Sequence, residues 1–538
     1  MTLTAATLPG QKISIVTQGG ASRDTLQFLR RLPDSRWNPR LQAWTCLGTP
    51  YSAAALAAHS DFAVDAGVQQ LASRVGPRNP LRVSPSSEVF ASWDHQVDAF
   101  SHALDRAAWY GAMVMGGGKS KVTVDLANER QHKRILVLCP TGVVHVWSRE
   151  FADHSIRPMN VEVLNLKHSN AKKCAQAAEA LRWRDSPLAI VVNYESAWRE
   201  PLASLLLEQH WDLIVCDEAH RIKSPTGSAA RYAAKLGRVS DYRIALSGTP
   251  MPHSPLDIFA QYRFLDPGIF GTSYFQFRNR YTRAGYFPGQ IAGWINQEEF
   301  NDKLASCMFR VGEEVLTLPP MTQSMVPVDM QPAESRVYRQ IQDDFVAELN
   351  SGQVITAPNA LTRLMRLQQI TCGWVGDGDT VTELGDSKIK ALEGMLEDLP
   401  TDEPVVVFCW YRHDLERVQK LAERTGRRYG ELSGRGRDLT DRACMPDDVD
   451  LMGVQMQSGG VGVDLTRAAY VFYYSLGYSW GDYEQSLKRA HRPGQDRPVR
   501  VYHLTSRHTV NEEVYESLRA KRDCVEPVLA SLRRQSCR

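Results

Sequence analysis

The sequence has almost no net charge, no paired cysteine motif and no long apolar run. Its 538 residues carry a formal net charge of only +2, so any surface for a polyanion such as nucleic acid has to be a local patch. The ten cysteines include no Cys-x-x-Cys pair, which argues against a disulfide framework or a zinc site and favours reduced thiols. No apolar run has the length of a membrane span, and no secretory signal pattern is visible. We therefore expect a cytoplasmic protein of several domains, because a chain of this length exceeds one core.

The most informative stretch is the acidic pair Asp217 and Glu218. An apolar run, residues 213–216, leads directly into it, which is typical of a buried parallel strand that ends at a ligand site. Past the strand end, a turn can bring both carboxylates to one ligand, where one holds Mg²⁺ and the other polarises a water. Because such a pair alone is more often a solvated turn, the interpretation depends on the two motifs that follow.

A glycine-rich turn lies about a hundred residues upstream of the acidic pair. The turn and its continuation are Gly116, Gly117, Gly118, Lys119 and Ser120. The glycines let backbone N–H groups close around phosphate oxygens, the lysine reaches the terminal phosphates, and the serine hydroxyl is a ligand for Mg²⁺. Met113 replaces the first glycine of the strict phosphate-loop pattern. Gln96, on a predicted helix before the turn, is a candidate adenine contact, since an amide both donates and accepts; a lone glutamine on a helix is otherwise a surface residue.

An arginine pair in the C-terminal third is the second supporting motif. Arg489 and Arg492 are three residues apart, so on a helix they would share a face. Such pairs are commonly salt-bridge partners. A glycine turn upstream, with Gly459, Gly460 and Gly462, allows a close approach of the backbone to phosphate or DNA.

Short apolar strands alternate with helical patterns in two regions of the chain. The strand-like runs are residues 135–139, 189–192, 213–216 and 243–246 in the first region, and 405–409, 449–454, 470–474 and 499–504 in the second. The first series predicts a doubly wound parallel sheet with ligands beyond its strand ends. Polar motifs, including Pro140 with Thr141 and Asn193 with Tyr194, follow these runs as that rule requires.

The N-terminal residues combine arginines with tryptophans. Arg36, Trp37 and Trp44 lie in one such stretch, and this mixture suits phosphate contact together with stacking on an unpaired base. The alternative, in which the tryptophans fill a small core and the arginines are solvated, remains open at this point.

Four motifs resemble those of the Swi/Snf-type ATPases. They are Met-Gly-Gly-Gly-Lys-Ser at 115–120, Leu-Cys-Pro-Thr at 138–141, Asp-Glu-Ala-His-Arg-Ile-Lys-Ser at 217–224 and Leu-Ser-Gly-Thr-Pro-Met-Pro-His at 246–253. The resemblance implies a superfamily-two, helicase-like motor with two RecA-like lobes and helical protrusions between them, which hydrolyses ATP with Mg²⁺ and tracks duplex DNA. The pattern Leu-Pro-x-x-x-Trp-x-Pro-x-x-x-x-Trp at 32–44 resembles the HARP substrate-recognition domain of annealing helicases, a small α+β domain.

The resemblance also implies roles for single residues. Glu218 would be the base, with Lys119, Asp217, Arg489 and Arg492 completing the catalytic set, the two arginines as fingers on the γ-phosphate from the opposite lobe. The expected nucleotide contacts are Gln96, Gly116, Gly117, Gly118, Lys119, Ser120, Gly462 and Gln485, and the expected metal ligands are Ser120 and Asp217. The expected DNA contacts are Pro140, Thr141, Asn193, Tyr194, Gly459, Gly460, Arg36, Trp37 and Trp44. Asp464 stands where the family usually has Asn, which bears on the DNA contacts of the second lobe.

The expected organisation is a HARP-like domain (1–75), a linker (76–88), a first lobe (89–268), protrusions and inter-lobe linker (269–385), a second lobe (386–505) and a C-terminal brace helix (506–538). The predicted function is an ATP-dependent translocase on double-stranded DNA that remodels or re-anneals branched DNA. Alternatives are a strand-separating helicase, a remodeller of protein–DNA complexes, or a DNA-binding scaffold with a decayed ATPase. A bacterial or phage source is expected.

Overall fold

The computed structural model describes residues 3–8, 11–16, 21–77, 79–86, 89–183, 186–252, 254–285, 291–350, 357–376, 380–457 and 463–520. The chain forms two compact units, Met1–Val315 and Leu316–Arg538. No helix within these described ranges combines the length and apolar character needed to cross a bilayer.

The first unit begins with a small mixed module. Its elements are β1 (Leu3–Leu8), β2 (Lys12–Val16), α1 (Arg23–Arg31), β3 (Arg36–Asn38), β4 (Ala43–Leu47), α2 (Pro50–Ala57), β5 (Phe62–Val64) and α3 (Ala66–Ser73). The sheet has the order β3-β4-β2-β1-β5, and only the β1–β5 pair is parallel. Alternate residues of β1 and β2, such as Ala5 and Ile13, face one side and pack on Leu29 and Leu56. One sheet face thus forms the core of the module.

The rest of the first unit contains a seven-stranded parallel sheet and a separate antiparallel pair of strands, Thr282–Ala284 with Ile291–Trp294. Its elements are α4 (Asp94–Leu104), β6 (Ala108–Met113), α5 (Lys119–Glu129), β7 (Arg134–Cys139), α6 (Val144–His154), β8 (Asn160–Val163), α7 (Asn170–Ala180), β9 (Leu188–Asn193), α8 (Tyr194–Ala197), α9 (Leu202–Leu207), β10 (Trp211–Asp217), α10 (Ser228–Leu236), β11 (Ser240–Leu246), α11 (Ile258–Leu265), α12 (Pro267–Phe270), α13 (Tyr274–Tyr281), β12 (Thr282–Ala284), β13 (Ile291–Trp294), α14 (Gln297–Ala305) and β14 (Met308–Val311). The order is β14-β6-β11-β10-β7-β9-β8, with every pair parallel. β9 is buried along its whole length, as expected for a strand covered on both faces.

The small module packs against the edge of this sheet where the parallel strands begin. The N–H of Ala107, just before β6, donates to the carbonyl of Arg74 at 2.8 Å. The N–H of Tyr51 donates to a carboxylate oxygen of Asp266 at 3.0 Å, at the junction of α11 and α12. The ligand-binding ends of the strands are therefore at the opposite edge.

The second unit contains a six-stranded parallel sheet and a separate antiparallel pair of strands, Trp374–Gly376 with Val381–Glu383. Its elements are β15 (Met321–Val328), α15 (Pro332–Asn350), α16 (Ala357–Thr371), β16 (Trp374–Gly376), β17 (Val381–Glu383), α17 (Ser387–Glu397), β18 (Val405–Cys409), α18 (Arg412–Arg424), β19 (Tyr429–Leu432), β20 (Leu451–Gln455), β21 (Tyr470–Tyr473), α19 (Trp480–Leu487), β22 (Val499–Ser506) and α20 (Val510–Arg519). The order is β15-β22-β21-β18-β20-β19, and every pair is parallel. The predicted fold class, two doubly wound parallel sheets with a small α+β domain, is confirmed.

Two edge strands come from the segment that the sequence assigned to the inter-lobe region. β14 closes one edge of the first sheet and β15 closes one edge of the second. β15 is mostly exposed and contains Pro327, so it lacks the apolar run of a central strand, and proline is tolerated at a sheet edge. Within the predicted brace helix, α20 is described, and residues 521–538 lie outside the described residues.

Candidate nucleotide site

The glycine-rich turn joins β6 to α5 at the carboxyl edge of the first sheet. Gly116 and Gly118 have φ angles of +82° and +77°, in the left-handed region where an L side chain costs about 1–2 kcal/mol. A methyl group at Gly118 would lie 2.0 Å from Nε2 of Gln96. The left-handed backbone of the turn therefore favours glycine, and a methyl group at Gly118 would in addition displace the side-chain amide of Gln96. Lys119 and Ser120 then begin α5, whose N-terminal amides favour an anion.

Lys119 is held over the turn that it follows. Its Nζ donates to the carbonyl oxygens of Met113 at 3.0 Å and Val114 at 3.2 Å. These are the last residue of β6 and the first of the turn. The ammonium group is thus positioned at the phosphate loop before any anion binds there.

Gln96 lies directly beside the turn. Its Oε1 accepts from the N–H of Trp93 at 2.9 Å, and its Nε2 donates to the carbonyl of Gly117 at 3.4 Å. Its neighbour His95 was not predicted from the sequence, and the Nε2 of this histidine is 2.9 Å from the same carbonyl. Adjacency to Gln96 is the one sequence feature that points to it. The adenine contact of Gln96 stays a prediction.

The acidic pair forms a buried, sharply bent strand end. Asp217 is the last residue of β10, and Glu218 has φ +49°, a conformation that is uncommon and strained for a non-glycine residue. The two residues are only 7% and 4% exposed, and the N–H of Glu218 donates to Oδ1 of Asp217 at 2.9 Å. Trp147 donates from Nε1 to Asp217 Oδ2 at 3.0 Å. A solvated turn, the alternative for this motif, is excluded by this burial.

Burial affects the two carboxyl groups in opposite directions. Loss of solvent, with the negative charge of Glu218, raises the pKa of Asp217 to about 6 although Lys119 opposes the shift. Burial also acts to raise the pKa of Glu218, but a hydrogen bond and charge interaction with His220, together with Lys119 and Arg221, outweigh it and lower that pKa. Nδ1 of His220 lies 3.2 Å from Oε2 of Glu218. Glu218 therefore stays ionised, as a residue that orients and deprotonates water must.

The sheet register brings the phosphate loop and the acidic pair to the same end of the sheet, where the parallel strands have their carboxyl ends. Asp217 is paired with Leu246 on β11, and Leu246 with Gly111 on β6. With one strand between them, the two strand ends are roughly 10 Å apart. The carboxylate of Asp217 and the hydroxyl of Ser120 are hard oxygen donors of the kind that Mg²⁺ prefers. Asp217 is buried beside the second carboxylate of Glu218, and a divalent cation would offset both the loss of solvent and the neighbouring negative charge that raise its pKa, so the residues fit the implied ion.

A polar network, unnoticed in the sequence, connects the acidic turn to β11 and α11. His220 Nδ1 is 3.0 Å from Oγ of Ser247, which accepts from the N–H of Thr249 at 3.1 Å. The buried hydroxyl of Tyr110 donates to Oε1 of Gln261 on α11 at 2.6 Å. The Ser-Gly-Thr motif is therefore tied to Glu218 through His220.

Three of the predicted DNA contacts in the first unit lie together at this edge. Pro140 and Thr141 follow β7, and Asn193 ends β9, with Cys139 and Asn193 paired in register. Nδ2 of Asn193 contacts Oγ1 of Thr141 at 3.4 Å. Tyr194 differs from the expectation, because it is 3% exposed and its hydroxyl donates to the carbonyl of Asp217 at 2.8 Å. Its side chain belongs to the core and supports the acidic turn, so it is not available for a DNA contact.

The predicted residues of the second unit lie partly outside regular structure. Gln485 is on α19, but this helix ends at Leu487, so Arg489 and Arg492 lie in the turns beyond it and the expected shared helical face is absent. Burial lowers the pKa of Arg489 to about 10, and its Nη1 has no hydrogen-bond partner among the described residues. Nη1 of Arg492 donates to the carbonyl of Val463 at 3.3 Å. The predicted Gly459, Gly460 and Gly462 lie outside the described residues.

The aromatic pair of the small module has one exposed and one packed member. Trp37 on β3 is directly opposite Trp44 on β4, and the ring centroids are 6.3 Å apart in an edge-to-face arrangement. Trp37 is 47% exposed, while Trp44 packs on the module core. Arg36 is exposed beside them. The core interpretation therefore holds for Trp44, and Trp37 is available to a ligand.

A phosphate loop and a buried acidic pair at the same end of a parallel sheet are a combination typical of phosphate-loop proteins. Comparison with known families agrees: the SNF2-related domain matches residues 81–373, and the helicase conserved C-terminal domain matches residues 387–494. The chain belongs to the SNF2-related family, with two RecA-like lobes.

The chain is also similar to individual proteins. Protein p41 of Acyrthosiphon pisum secondary endosymbiont phage 1 is 26% identical over 83% of this chain and 100% of its own length. An ATP-dependent helicase of Mycoplasma pneumoniae is 22% identical over 73% of this chain, and the chromodomain-helicase-DNA-binding protein 1-like of Danio rerio is 26% identical over 74%. This chain spans only 37% and 40% of those two longer proteins. A solved Sulfolobus solfataricus SWI2/SNF2 ATPase core in complex with dsDNA is 21% identical, with a TM-score of 0.41 over 82% of this chain and 93% of that one.

Proposed function

We propose that the chain is an ATP-driven translocase on double-stranded DNA that remodels or re-anneals branched DNA. The observation that carries the proposal is the buried pair Asp217 and Glu218, whose pKa values diverge beside a phosphate loop. Two neighbouring carboxyl groups with different protonation behaviour are suited to different tasks, one at a metal and one at a water.

Each task has a proposed residue. The loop with Lys119 binds the phosphates, and Gln96 contacts the base. Ser120 and Asp217 would hold Mg²⁺, which when bound supplies positive charge against the phosphate oxygens. Glu218 orients the attacking water and accepts its proton, an assignment supported by its ionised state.

The second unit contributes positive charge in this proposal. Arg489 and Arg492 stabilise the charge that develops on the γ-phosphate, with Gln485 and Gly462 as further nucleotide contacts. The support is the guanidinium of Arg489, which is buried and has an unsatisfied Nη1 among the described residues; such a group gains from a bound anion. An arginine in this role is worth about 10³–10⁵ in rate, so Arg489→Ala and Arg492→Ala are each expected to lose turnover on that scale.

The first test is the rate of ATP hydrolysis with duplex, single-stranded and forked DNA compared side by side. Glu218→Gln is expected to keep ATP and DNA binding while turnover falls by orders of magnitude. Glu179→Gln, an exposed glutamate on α7, is the matched control and keeps wild-type turnover. A modest loss in Glu218→Gln would place the base elsewhere, and an ATPase rate indifferent to DNA would contradict the translocase.

The small module would direct the motor to branched or partly single-stranded DNA through Arg36 and Trp37, with Trp44 supporting the ring of Trp37 from the module core. Its resemblance to the HARP domain and the exposure of Trp37 support this proposal. Trp37→Ala is expected to spare hydrolysis on plain duplex and to weaken the preference for forks, without loss of stability. Trp44→Ala, which removes a packed ring, is expected to lower stability as well. Equal loss on both substrates in Trp37→Ala would reassign the residue to packing.

Strand displacement on forked DNA, measured beside annealing of separated strands, distinguishes this proposal from its rivals. Displacement without annealing would indicate a strand-separating helicase, and activity only on a protein-bound duplex would indicate a remodeller. The bacterial and phage relatives support a cytoplasmic site of action in a bacterium or an infected cell.

A further inference from the structure

A cavity of about 520 Å³ lies between the small module and the first sheet, where the parallel strands begin. The module side of its wall comes from the turn between β1 and β2, the start of α2 and the end of α3. The other side comes from the end of α10, the start of β11 and the end of α11. The volume is typical of small-molecule sites, which span about 300–1,000 Å³. Because the phosphate loop is at the opposite end of the strands, this cavity is separate from the nucleotide site.

The described residues of the wall carry more positive than negative charge. Two are carboxylates, Asp241 and Asp266, and five are cationic: Lys12, Arg74, Arg238, Arg243 and Arg263. Both carboxylates already have other partners. Oδ2 of Asp241 lies 3.0 Å from Nε2 of His210, and Asp266 accepts from the N–H groups of Tyr51 at 3.0 Å and Gly268 at 2.7 Å. Within the described part of the chain, none of the five cations is in an ion pair.

Two of the arginines have donors that the protein does not use. Nη1 of Arg243 donates to the carbonyl of Gly237 at 3.1 Å, and Nη2 of Arg263 donates to the carbonyl of Pro225 at 3.1 Å. Nε of each arginine is buried and has no hydrogen-bond partner among the described residues. Buried N–H donors normally have an acceptor. An anion at this wall would supply acceptor oxygens and the missing negative charge together.

Burial and like charge both act against the cationic side chains. Burial lowers the pKa of Arg243, and the charge of Arg74 acts in the same direction, against Asp266 and Asp241. Burial also lowers the pKa of Arg263, and the charges of Arg231 and Arg238 add to this effect. The guanidinium groups are therefore less stable here than in water, and a bound anion would offset both the desolvation and the repulsion.

We propose that this cavity binds a small, multiply charged anion that carries phosphate, with Arg243 and Arg263 as its main contacts and the exposed Lys12 and Arg238 at the rim. The planar guanidinium fork matches the spacing of phosphate oxygens, which favours arginine at such a site. A ligand that contacts both sides of the cavity would fasten the small module to the first sheet. This inference goes beyond the proposed function, because binding of a small anion here does not require activity on DNA.

The test is thermal unfolding of the full chain in inorganic phosphate, compared with chloride at equal ionic strength, without Mg²⁺ and nucleotide. Every variant also carries Lys119→Met, because the phosphate loop is a second site for phosphate. Phosphate is expected to raise the unfolding temperature in this background. Arg243→Met keeps an apolar stem and removes the charge, so about tenfold more phosphate should be needed for the same rise. Arg182→Met is the matched control, since this exposed arginine does not line the cavity, and its phosphate dependence should equal that of the background.

Hydrogen exchange locates the bound phosphate. The N–H of Tyr51 donates to Asp266, and the N–H of Ala107 donates to the carbonyl of Arg74, so both bonds join the module to the first sheet beside the cavity. Phosphate is expected to slow the exchange of both amides, and this slowing should disappear in Arg243→Met. Slowing confined to residues 116–120 would place the phosphate at the loop and overturn the proposal.

Equal phosphate dependence in Arg243→Met and Arg182→Met would also overturn it. If Arg243→Met does not fold, Arg238→Met decides instead, because this residue lies at an exposed position of the same wall; an unchanged phosphate dependence in that variant would refute the site. Affinity for a short duplex over a salt series is the second arm. A slope of log affinity against log salt that falls by about 0.9 in Arg243→Met, the value for one lost phosphate contact, with phosphate binding unchanged, would mean a DNA contact in place of a small-anion site.

Discussion

Replacement of Asp217 by asparagine is expected to stabilise the unliganded protein while abolishing its ATPase activity. The pKa of this carboxyl is raised from an ordinary value of 3.8 to about 6, chiefly by burial and then by the charge of Glu218. Because a pKa unit is worth about 1.4 kcal/mol, keeping Asp217 ionised in the folded state at pH 7 costs about 3 kcal/mol. Asparagine carries no charge and removes this cost.

The gain is reduced by a lost hydrogen bond. Asp217 accepts from Nε1 of Trp147 with one oxygen and from the N–H of Glu218 with the other. Asparagine has a single acceptor oxygen, so one of these two donors is left unsatisfied, at a cost of about 1 kcal/mol. The free energy of unfolding should therefore increase by about 2 kcal/mol at pH 7 in buffer free of Mg²⁺ and nucleotide.

The pH dependence of this gain has a definite sign. A carboxyl whose folded pKa exceeds its unfolded pKa adds stability that is fully present below pH 3.8 and is lost as pH rises through 6. The advantage of Asp217→Asn should accordingly shrink to roughly half between pH 7 and pH 5 before the hydrogen-bond cost is subtracted. Urea unfolding followed by tryptophan fluorescence at the two pH values measures it.

Glu218→Gln is the matched control for Asp217→Asn. The pKa of Glu218 is lowered, so its ionised form already favours folding and the amide brings no gain at pH 7. Both variants should lose hydrolysis, but only Asp217→Asn should become more stable. Wild-type stability in Asp217→Asn at pH 7, or a gain of the same size at pH 5, would show that burial does not raise the pKa of Asp217.

Two further predictions concern the loop and its support. Gly118→Ala places a methyl group against the amide of Gln96 in a left-handed backbone and should weaken ATP binding about tenfold. Gly426→Ala is the control, because this residue is also left-handed (φ +68°) but has open space around it, and ATP affinity should be unchanged. Equal effects of the two variants in a nucleotide titration would refute the steric argument. Tyr110→Phe removes the hydroxyl that donates to Gln261 and leaves a buried acceptor unpaired. The free energy of unfolding, measured with denaturant, should therefore fall by about 1–3 kcal/mol. Wild-type stability would mean that the amide oxygen of Gln261 finds another donor.

Local chemistry was predictable wherever a motif spans consecutive residues. The loop from Gly116 to Ser120 and the acidic pair after β10 were identified because their function requires fixed residue types at fixed spacing. Fold class followed from the alternation of short apolar strands and helices. The roles assigned to these residues stay predictions, as do the domain boundaries.

Features that depend on contacts distant in sequence were not predictable. The sequence places Tyr194 in the same strand-end motif as Asn193, but packing decides that one is inside the core and the other lines a cavity. Arg489 and Arg492 have helical spacing, yet α19 ends before them. Residue spacing determines which side chains would share a face if the segment were helical, but the surrounding structure decides where the helix ends.

The amino-acid sequence by itself determined the inventory of this protein: a phosphate loop, an acidic pair, an arginine pair and strands that alternate with helices. The order of residues along the chain is sufficient to identify these motifs, because each motif consists of residues close together in sequence. Only the tertiary structure decided that Asp217 is buried with its pKa raised, that the small module packs where the strands begin, and that Lys173, Thr141 and Asn193 line one cavity. Burial and long-range pairing set these, because the environment of a charged group depends on all the elements packed around it.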